Sequence, residues 1–477
     1  MFIGREQELQ FLEEHYQSNQ AELVILYGRR RVGKTETLKQ FCRGKNHVFF
    51  TCTEVPDHTQ LQKFSESLLA TGMEASKYIK SFDDWEMALN SIVQLPFESK
   101  KLVIIDEFPY MCKGNHSIPS ILQKLWDMTL REQNIMLVLC GSAMSFIEKD
   151  ILSEKNPLYG RTTGIFKMEE MGFYDASKFF PSYSAVDKVT VYSILGGIPH
   201  YLRQFDEKLS IEENIKKYIL TKGCPLYTET EFLLKQELRE TAYYNMLISA
   251  IAMGGTSMQD ITTKTAIEAS KASAYLRNLM ELGIVGKEVS VSHKIKNASA
   301  NSRGLYHLND NFFRFWYAFV FPDFGQLESG SMDDLYQYVI EPGLSRYTSI
   351  TFESVCRQFV RRLSNQRRLP FPASEIGRWW GKRTGRSEES GKLETCAIEI
   401  DILAEDFKKE FCLVGECKYT NEPVGAGVLS SLRAKYPPDE DDLQILYALF
   451  AKNGFKDSPD LLSEDVLLFD IEEIVKG

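Results

Sequence analysis

The chain has 477 residues, 43% of them hydrophobic, enough for about two to four packed domains rather than one core. A net charge of -10 and a pI near 5.5 exclude a protein coated in basic surface for bulk nucleic-acid binding, while leaving room for a local basic patch. No apolar run of about 18 uncharged residues is present and Met1–Glu6 lacks the apolar core of a signal peptide, so a cytoplasmic protein with no membrane partner is expected.

In chain order, the first strong signal is Gly28-Arg29-Arg30-Arg31-Val32-Gly33-Lys34-Thr35, a GxxxxGK[ST] phosphate loop. The β-branched run Leu23–Tyr27 precedes it and the helix-forming Glu36–Phe41 follows, which is the strand-loop-helix context the chemistry needs. Glycines let backbone N–H groups turn inward on ATP, Lys34 reaches the β and γ phosphates, and the Thr35 hydroxyl joins a Mg2+ shell. The apolar strand Leu102–Ile105 then delivers Asp106 and Glu107 to the mouth of a sheet. Asp106 is expected to bind Mg2+ and Glu107 to activate the attacking water.

A third strand, Ile135–Cys140, ends at Gly141-Ser142, where Ser142 either contacts the γ phosphate or its water or simply caps a turn. Arg161, after Pro157-Leu158-Tyr159-Gly160, is a candidate γ-phosphate ligand, in its own subunit or a neighbour's, or else an ordinary surface arginine. Gly196-Gly197-Ile198-Pro199-His200 reads as a hinge or a nucleotide-contacting turn.

Taken together, Gly4-Arg5-Glu6, GRRRVGKT, LVIIDEF, LCGS, LYGRT and GGIPHYL resemble the archaeal-type ATPases of the AAA+/STAND group. The resemblance implies a parallel-sheet ATPase core over residues 1–180 and a helical lid over 181–240. It also implies a Gly4-Arg5-Glu6 segment near the adenine and a GGIP turn that reports nucleotide state.

Residues 241–325 change to short helices. The apolar spacing of Tyr244–Ala252, a second start at Met258 and a third helix over Ser270–Leu279 precede β segments at Gly283–Val285 and Arg303–Leu308. Three helices and a two-stranded wing predict a winged helix, with Lys271, Ser273, Arg277, His293, Lys294 and Lys296 as candidate phosphate contacts to DNA or RNA. In STAND-type ATPases such a module also serves as a switch without touching nucleic acid. The aromatic run Asn311–Tyr317 is expected to be a buried helix.

The last third, 326–477, contains Ile398-Glu399-Ile400-Asp401-Ile402 and Phe411–Tyr419, two alternating segments. If they form a hairpin, Asp401 and Glu416 converge on one divalent ion and Lys418 orients a water for attack on phosphodiester phosphorus. This pattern resembles the PD-(D/E)xK restriction-like nuclease core, which implies a preceding helix with a metal-binding glutamate, here Glu353. The expected fold is therefore an α/β P-loop ATPase core, an α-helical lid, a winged helix and a C-terminal α/β nuclease-like domain. The expected function is an ATP- and Mg2+-dependent switch that controls a domain acting on nucleic acid. The alternative is an ATP-gated signalling or scaffold protein whose C-terminal domain binds a protein partner and cleaves nothing.

Overall fold

Five apolar runs near the amino terminus form a wholly parallel sheet in the order β2-β3-β4-β1-β5. They are β1 (Glu22–Tyr27), β2 (His47–Thr51), β3 (Lys101–Asp106), β4 (Ile135–Gly141) and β5 (Gly164–Lys167). Every residue of β1 and β4 is buried, as expected for central strands covered on both faces, and this explains their unbroken rather than alternating hydrophobicity. Ile25, Phe50, Phe64, Trp85, Ile105 and Leu139 share one core. In chain order, helix α1 (Glu6–Gln17) precedes β1, α2 (Lys34–Phe41) follows β1 and α3 (Phe108–Gly114) follows β3. The parallel arrangement brings Gly28, Asp106 and Gly141, at the carboxyl ends of β1, β3 and β4, to one rim, where ligands bind in open α/β sheets.

This computed structural model describes residues 2–291, 298–300, 304–386, 393–437 and 443–477. The chain divides into two units, Met1–Met171 with Ile198–His200, and Gly172–Gly197 with Tyr201–Gly477. The segments expected as lid, winged helix and nuclease-like domain thus fall, for the most part, in the second unit.

Within that second unit, α4 (Thr241–Ala252), α5 (Met258–Thr265) and α6 (Ala269–Glu281) are short helices packed through Leu247, Ile251, Ile261, Leu276 and Leu279. Ser257 and Asp260 form a reciprocal capping box that starts α5 immediately after the Gly254-Gly255 break. Strands β6 (Val285–Glu288) and β8 (Leu305–Leu308) pair antiparallel. Of the chain between them, two described stretches join the C-terminal sheet. Its β7 (Ala298–Ala300) pairs antiparallel with Gly381–Arg383 of β9 (Ala373–Arg386). Val291 donates its N–H to the Arg378 carbonyl at 3.0 Å and packs, 6% exposed, in the same core as Trp379. The aromatic run is a buried helix as expected, with Phe312, Phe313 and Phe315 fully enclosed.

The C-terminal sheet runs β13-β12-β11-β10-β9-β7, with β10 (Leu393–Asp406), β11 (Phe411–Lys418), β12 (Gln444–Ala451) and β13 (Val466–Asp470). β9, β10 and β11 are successively antiparallel, whereas β12 and β13 run parallel to β11. Helix α7 (Glu341–Asn365) precedes β9 in sequence, and α8 (Ala426–Lys435) crosses from β11 to β12. A parallel return needs such a crossover.

Candidate functional site

The phosphate loop is shaped by backbone constraints that its residues meet locally. Gly28 has φ +155°, and a Cβ there would collide with the Met168 carbonyl oxygen, because Met168 N–H reaches the Tyr27 carbonyl at 2.6 Å. Gly33 has φ +98° and stands as the N-cap of α2 without a side-chain cap, so the first N–H groups of the helix point into the loop. Arg31 adopts φ +70°, a left-handed conformation uncommon for arginine and typical of strained functional turns. The Arg5 guanidinium, 5% exposed, braces the loop by donating to the Val32 carbonyl at 2.6 Å and to Glu8 at 2.6 Å. A Cβ on Gly33 would lie 3.7 Å from Pro199 Cγ, so the proline of the GGIP turn packs against the loop.

The remaining groups of this rim are already paired. Lys34, 5% exposed, donates to the Gly28 carbonyl at 2.8 Å and the Arg29 carbonyl at 2.9 Å. Burial lowers its pKa, against the pull of the nearby Glu107 and Asp106 carboxylates. Thr35 Oγ1 donates to Asp106 Oδ2 at 2.7 Å, which brings a hydroxyl and a buried carboxylate together as the oxygen pair a Mg2+ ion requires. Glu107, at φ +53°, accepts from Ser142 Oγ at 2.6 Å. The glycine that ends β4 is enforced by Pro109, since a Cβ on Gly141 would lie 2.8 Å from its Cδ.

Arg161 is elsewhere. Its guanidinium binds Asp127 through Nε (2.9 and 3.1 Å) and Nη2 (2.7 Å), and Nη1 donates to the Pro157 carbonyl at 2.9 Å. It precedes β5, whose first residue Gly164 pairs with Val24 near the start of β1. The phosphate loop leaves the other end of β1, about 20 Å away at about 3.3 Å per residue. A γ-phosphate contact by Arg161 within its own chain is therefore corrected: the parallel strand that follows it fixes it at the opposite rim.

In the second unit, β10 and β11 form the expected hairpin. Ile402 pairs with Gly415, so Asp401 and Glu416 lie across from each other one step farther along. The simple alternation of β10 breaks at this point. Ile400 pairs with Trp379 but Leu403 pairs with Gly377, leaving Asp401 and Ile402 opposite the single residue Arg378, a β-bulge that re-aims Asp401. Gly415 is required by close approach, because a Cβ there would lie 3.0 Å from Ile402 and Phe450. Asp401 Oδ2 accepts from the Cys417 N–H at 2.9 Å. Its pKa is raised, by burial first and then by Glu416. Glu416, 7% exposed, accepts from Lys418 Nζ at 2.7 Å and from Lys435 Nζ of α8 at 2.7 Å. Burial pulls the Lys418 pKa down and the Glu416 contact outweighs it, leaving it above the usual value.

Glu353 of α7 lies in the same electrostatic neighbourhood, its pKa pushed from 4.5 to about 7 by burial and then by Asp401. Among the described residues, however, no three His, Cys, Asp or Glu side chains come together to hold a metal ion. The expectation of a three-carboxylate set of Glu353, Asp401 and Glu416 is thus narrowed to the facing pair Asp401 and Glu416. That pair still fits Mg2+, which commonly takes one or two carboxylates and keeps several waters. Lys435 was not legible from the motif, since only the α8 crossover brings it to Glu416. Arg357, which donates to the Asp401 carbonyl at 3.2 Å, and Arg378, bonded to Glu288 and Glu399, are further basic groups at this end of the sheet.

The expected nucleic-acid contacts of the helical segment fare differently. Lys271 lies 3.6 Å over the Tyr243 ring and is occupied by that cation–π contact, Ser273 is half-buried, and Arg277 is exposed. His293, Lys294 and Lys296 lie outside the described residues. No helix among the described residues is long and apolar enough to cross a membrane.

The fold and rim geometry define a phosphate-loop ATPase class of protein. Residues 2–205 match an ATPase domain predominantly from Archaea, and residues 316–431 match a domain of archaeal and bacterial proteins of unknown function. The chain is 30% identical over 477 residues to an uncharacterized protein of Methanocaldococcus jannaschii, covering 99% of this chain and 100% of that one. It therefore belongs to the same family as that protein, with the archaeal-type ATPase domain over residues 2–205. A shorter stretch of 45 residues, 9% of this chain, is 56% identical to an uncharacterized ATP-binding protein of the same organism and covers 76% of it. The Walker-type ATPase of Pyrococcus abyssi shares the fold at 20% identity and a TM-score of 0.50, over 66% of this chain and 96% of that one.

Proposed function

We propose that this chain binds and hydrolyses ATP at the β1–α2 loop and uses the cycle to control a C-terminal site that acts on nucleic acid. The observation that carries the first part is the contact of Thr35 with Asp106 at 2.7 Å beside Lys34 and Glu107. Lys34 exchanges its two backbone carbonyl partners for the β and γ phosphates. Glu107 takes a proton from the attacking water, and Ser142 holds that carboxylate in place. Thr35 and Asp106 would hold Mg2+, which would supply charge neutralisation on the phosphate oxygens.

The C-terminal reading rests on Asp401 and Glu416 facing each other across a hairpin with Lys418 on Glu416. Two facing carboxylates favour a divalent cation, and Lys418 is placed to orient a water toward a phosphodiester. The αβββαβ order of α7, β9, β10, β11, α8 and β12 supports the nuclease-like assignment. The three helices with β6 and β8 serve, in this reading, as a winged-helix link whose intervening strand β7 extends the C-terminal sheet. One observation favours the rival scaffold reading: Glu416 already carries two ammonium partners.

The test is Mg2+-dependent nicking of labelled DNA and RNA by the full chain, together with Mn2+ calorimetry. Asp401→Ala is expected to abolish nicking and one Mn2+ site while ATP hydrolysis continues. No nicking by the wild type, or no Mn2+ site that depends on Asp401, would leave the domain as a partner-binding module.

A further inference from the structure

Phosphoryl transfer draws on a further cation at the γ phosphate beside Lys34, and within this chain Arg161 is not that cation, since it is held by Asp127 at the amino ends of the strands. A second guanidinium is already at the correct rim. Arg30 Nη2 donates to the Tyr110 hydroxyl at 3.4 Å, and its charge is felt at Lys34, as are those of Asp106 and Glu107. Tyr110 stands on α3, whose first turn is tied to the acidic corner by its own N–H to the Glu107 carbonyl at 2.9 Å. Arg30 thus bridges the phosphate loop and the end of β3, the two elements between which a γ phosphate sits. The neighbouring Arg31, at φ +70°, turns the loop directly after it.

The geometry points to Arg30 as an in-chain γ-phosphate ligand, positioned by Tyr110, that neutralises charge during ATP hydrolysis without an arginine from a second copy. It rests on the phosphate-loop reading above. In the step it serves, a bond forms between water oxygen and the γ phosphorus and the bond to the β–γ bridging oxygen breaks. The electron pair leaves with ADP, and Glu107 takes the water proton. Negative charge grows on the bridging and γ oxygens, and a planar guanidinium binds two such oxygens at once.

The experiment compares the full-length wild type with Arg30→Ala, Arg30→Lys and Tyr110→Phe. Calorimetry measures Mg2+-ADP and a Mg2+-bound non-hydrolysable ATP analogue, and kcat per chain is followed from low to high protein concentration. Arg30→Ala is expected to weaken the ATP analogue about ten- to a hundredfold, the worth of a charged hydrogen bond, with ADP affinity within about twofold. Its kcat is expected to fall at least about a hundredfold, with partial recovery in Arg30→Lys and a smaller loss in Tyr110→Phe. Wild-type kcat per chain is expected to be independent of concentration. Equal losses for ADP and the ATP analogue would overturn the inference in favour of a loop-packing role. So would a kcat that rises with concentration and vanishes in Arg161→Ala. Should Arg30→Ala fail to fold, Arg30→Lys and Tyr110→Phe read the same ADP-to-ATP difference. Lys34→Ala is run alongside: wild-type ADP binding in that variant would overturn the phosphate-loop reading itself, a result distinct from failure of Arg30 alone.

Discussion

Replacing Glu353 by glutamine measures what it costs to hold this buried carboxylate charged beside Asp401. In the folded chain burial, followed by the Asp401 charge, moves Glu353 from 4.5 to about 7, against the pull of Arg378 and Arg357. At about 1.4 kcal/mol per pH unit, that interval corresponds to about 3 kcal/mol. The side chain is 26% exposed, so solvent screening leaves most of it intact. Because the folded pKa lies above the unfolded one, folding favours the protonated form. This contribution is fully present below about pH 4.5 and is lost as pH rises through about 7. Glutamine keeps the shape without the charge and has no such dependence. Glu353→Gln and wild type should therefore be similarly stable near pH 4.5, with the variant more stable by about 3 kcal/mol at pH 8. Denaturant titrations at both pH values, read by hydrogen exchange in peptides of α7 and β10, isolate the effect because titrating groups away from Glu353 and its neighbour Asp401 cancel in the difference. A variant no more stable than wild type at pH 8 would refute the claim that burial, with Asp401 second, raises the Glu353 carboxyl.

Three other substitutions probe the first unit. Glu107→Gln should retain ATP binding while its hydrolysis rate falls about a hundred- to ten-thousandfold, checked by filter binding and phosphate release. Ser142→Ala removes the 2.6 Å donor to Glu107 and should lower kcat about tenfold with little change in KM, measured by steady-state kinetics. Gly28→Ala drives a Cβ into the Met168 carbonyl and should cost more than about 2 kcal/mol, a drop of about 5 °C in the first unit's Tm by calorimetry, with ATP binding lost.

The ATPase half was legible because its chemistry is local. Gly28 to Thr35 is one contiguous loop whose glycines answer to backbone geometry at their own positions, and Asp106 and Glu107 follow directly from a buried strand. Parallel strands then had little choice but to bring these carboxyl ends to one rim. The same parallel rule defeated Arg161: only the pairing of β5 with β1 reveals which end of the sheet it occupies. In the C-terminal unit the sequence itself determined the hairpin and the nearness of Asp401 to Glu416, since an antiparallel turn of four residues fixes register. Tertiary structure alone decided the rest. The bulge opposite Arg378 depends on β9, the second ammonium on Glu416 depends on where the α8 crossover ends, and β7 joins the C-terminal sheet because the β9 edge offers it hydrogen bonds. These are pairings between residues far apart in sequence, and no spacing within either partner encodes them.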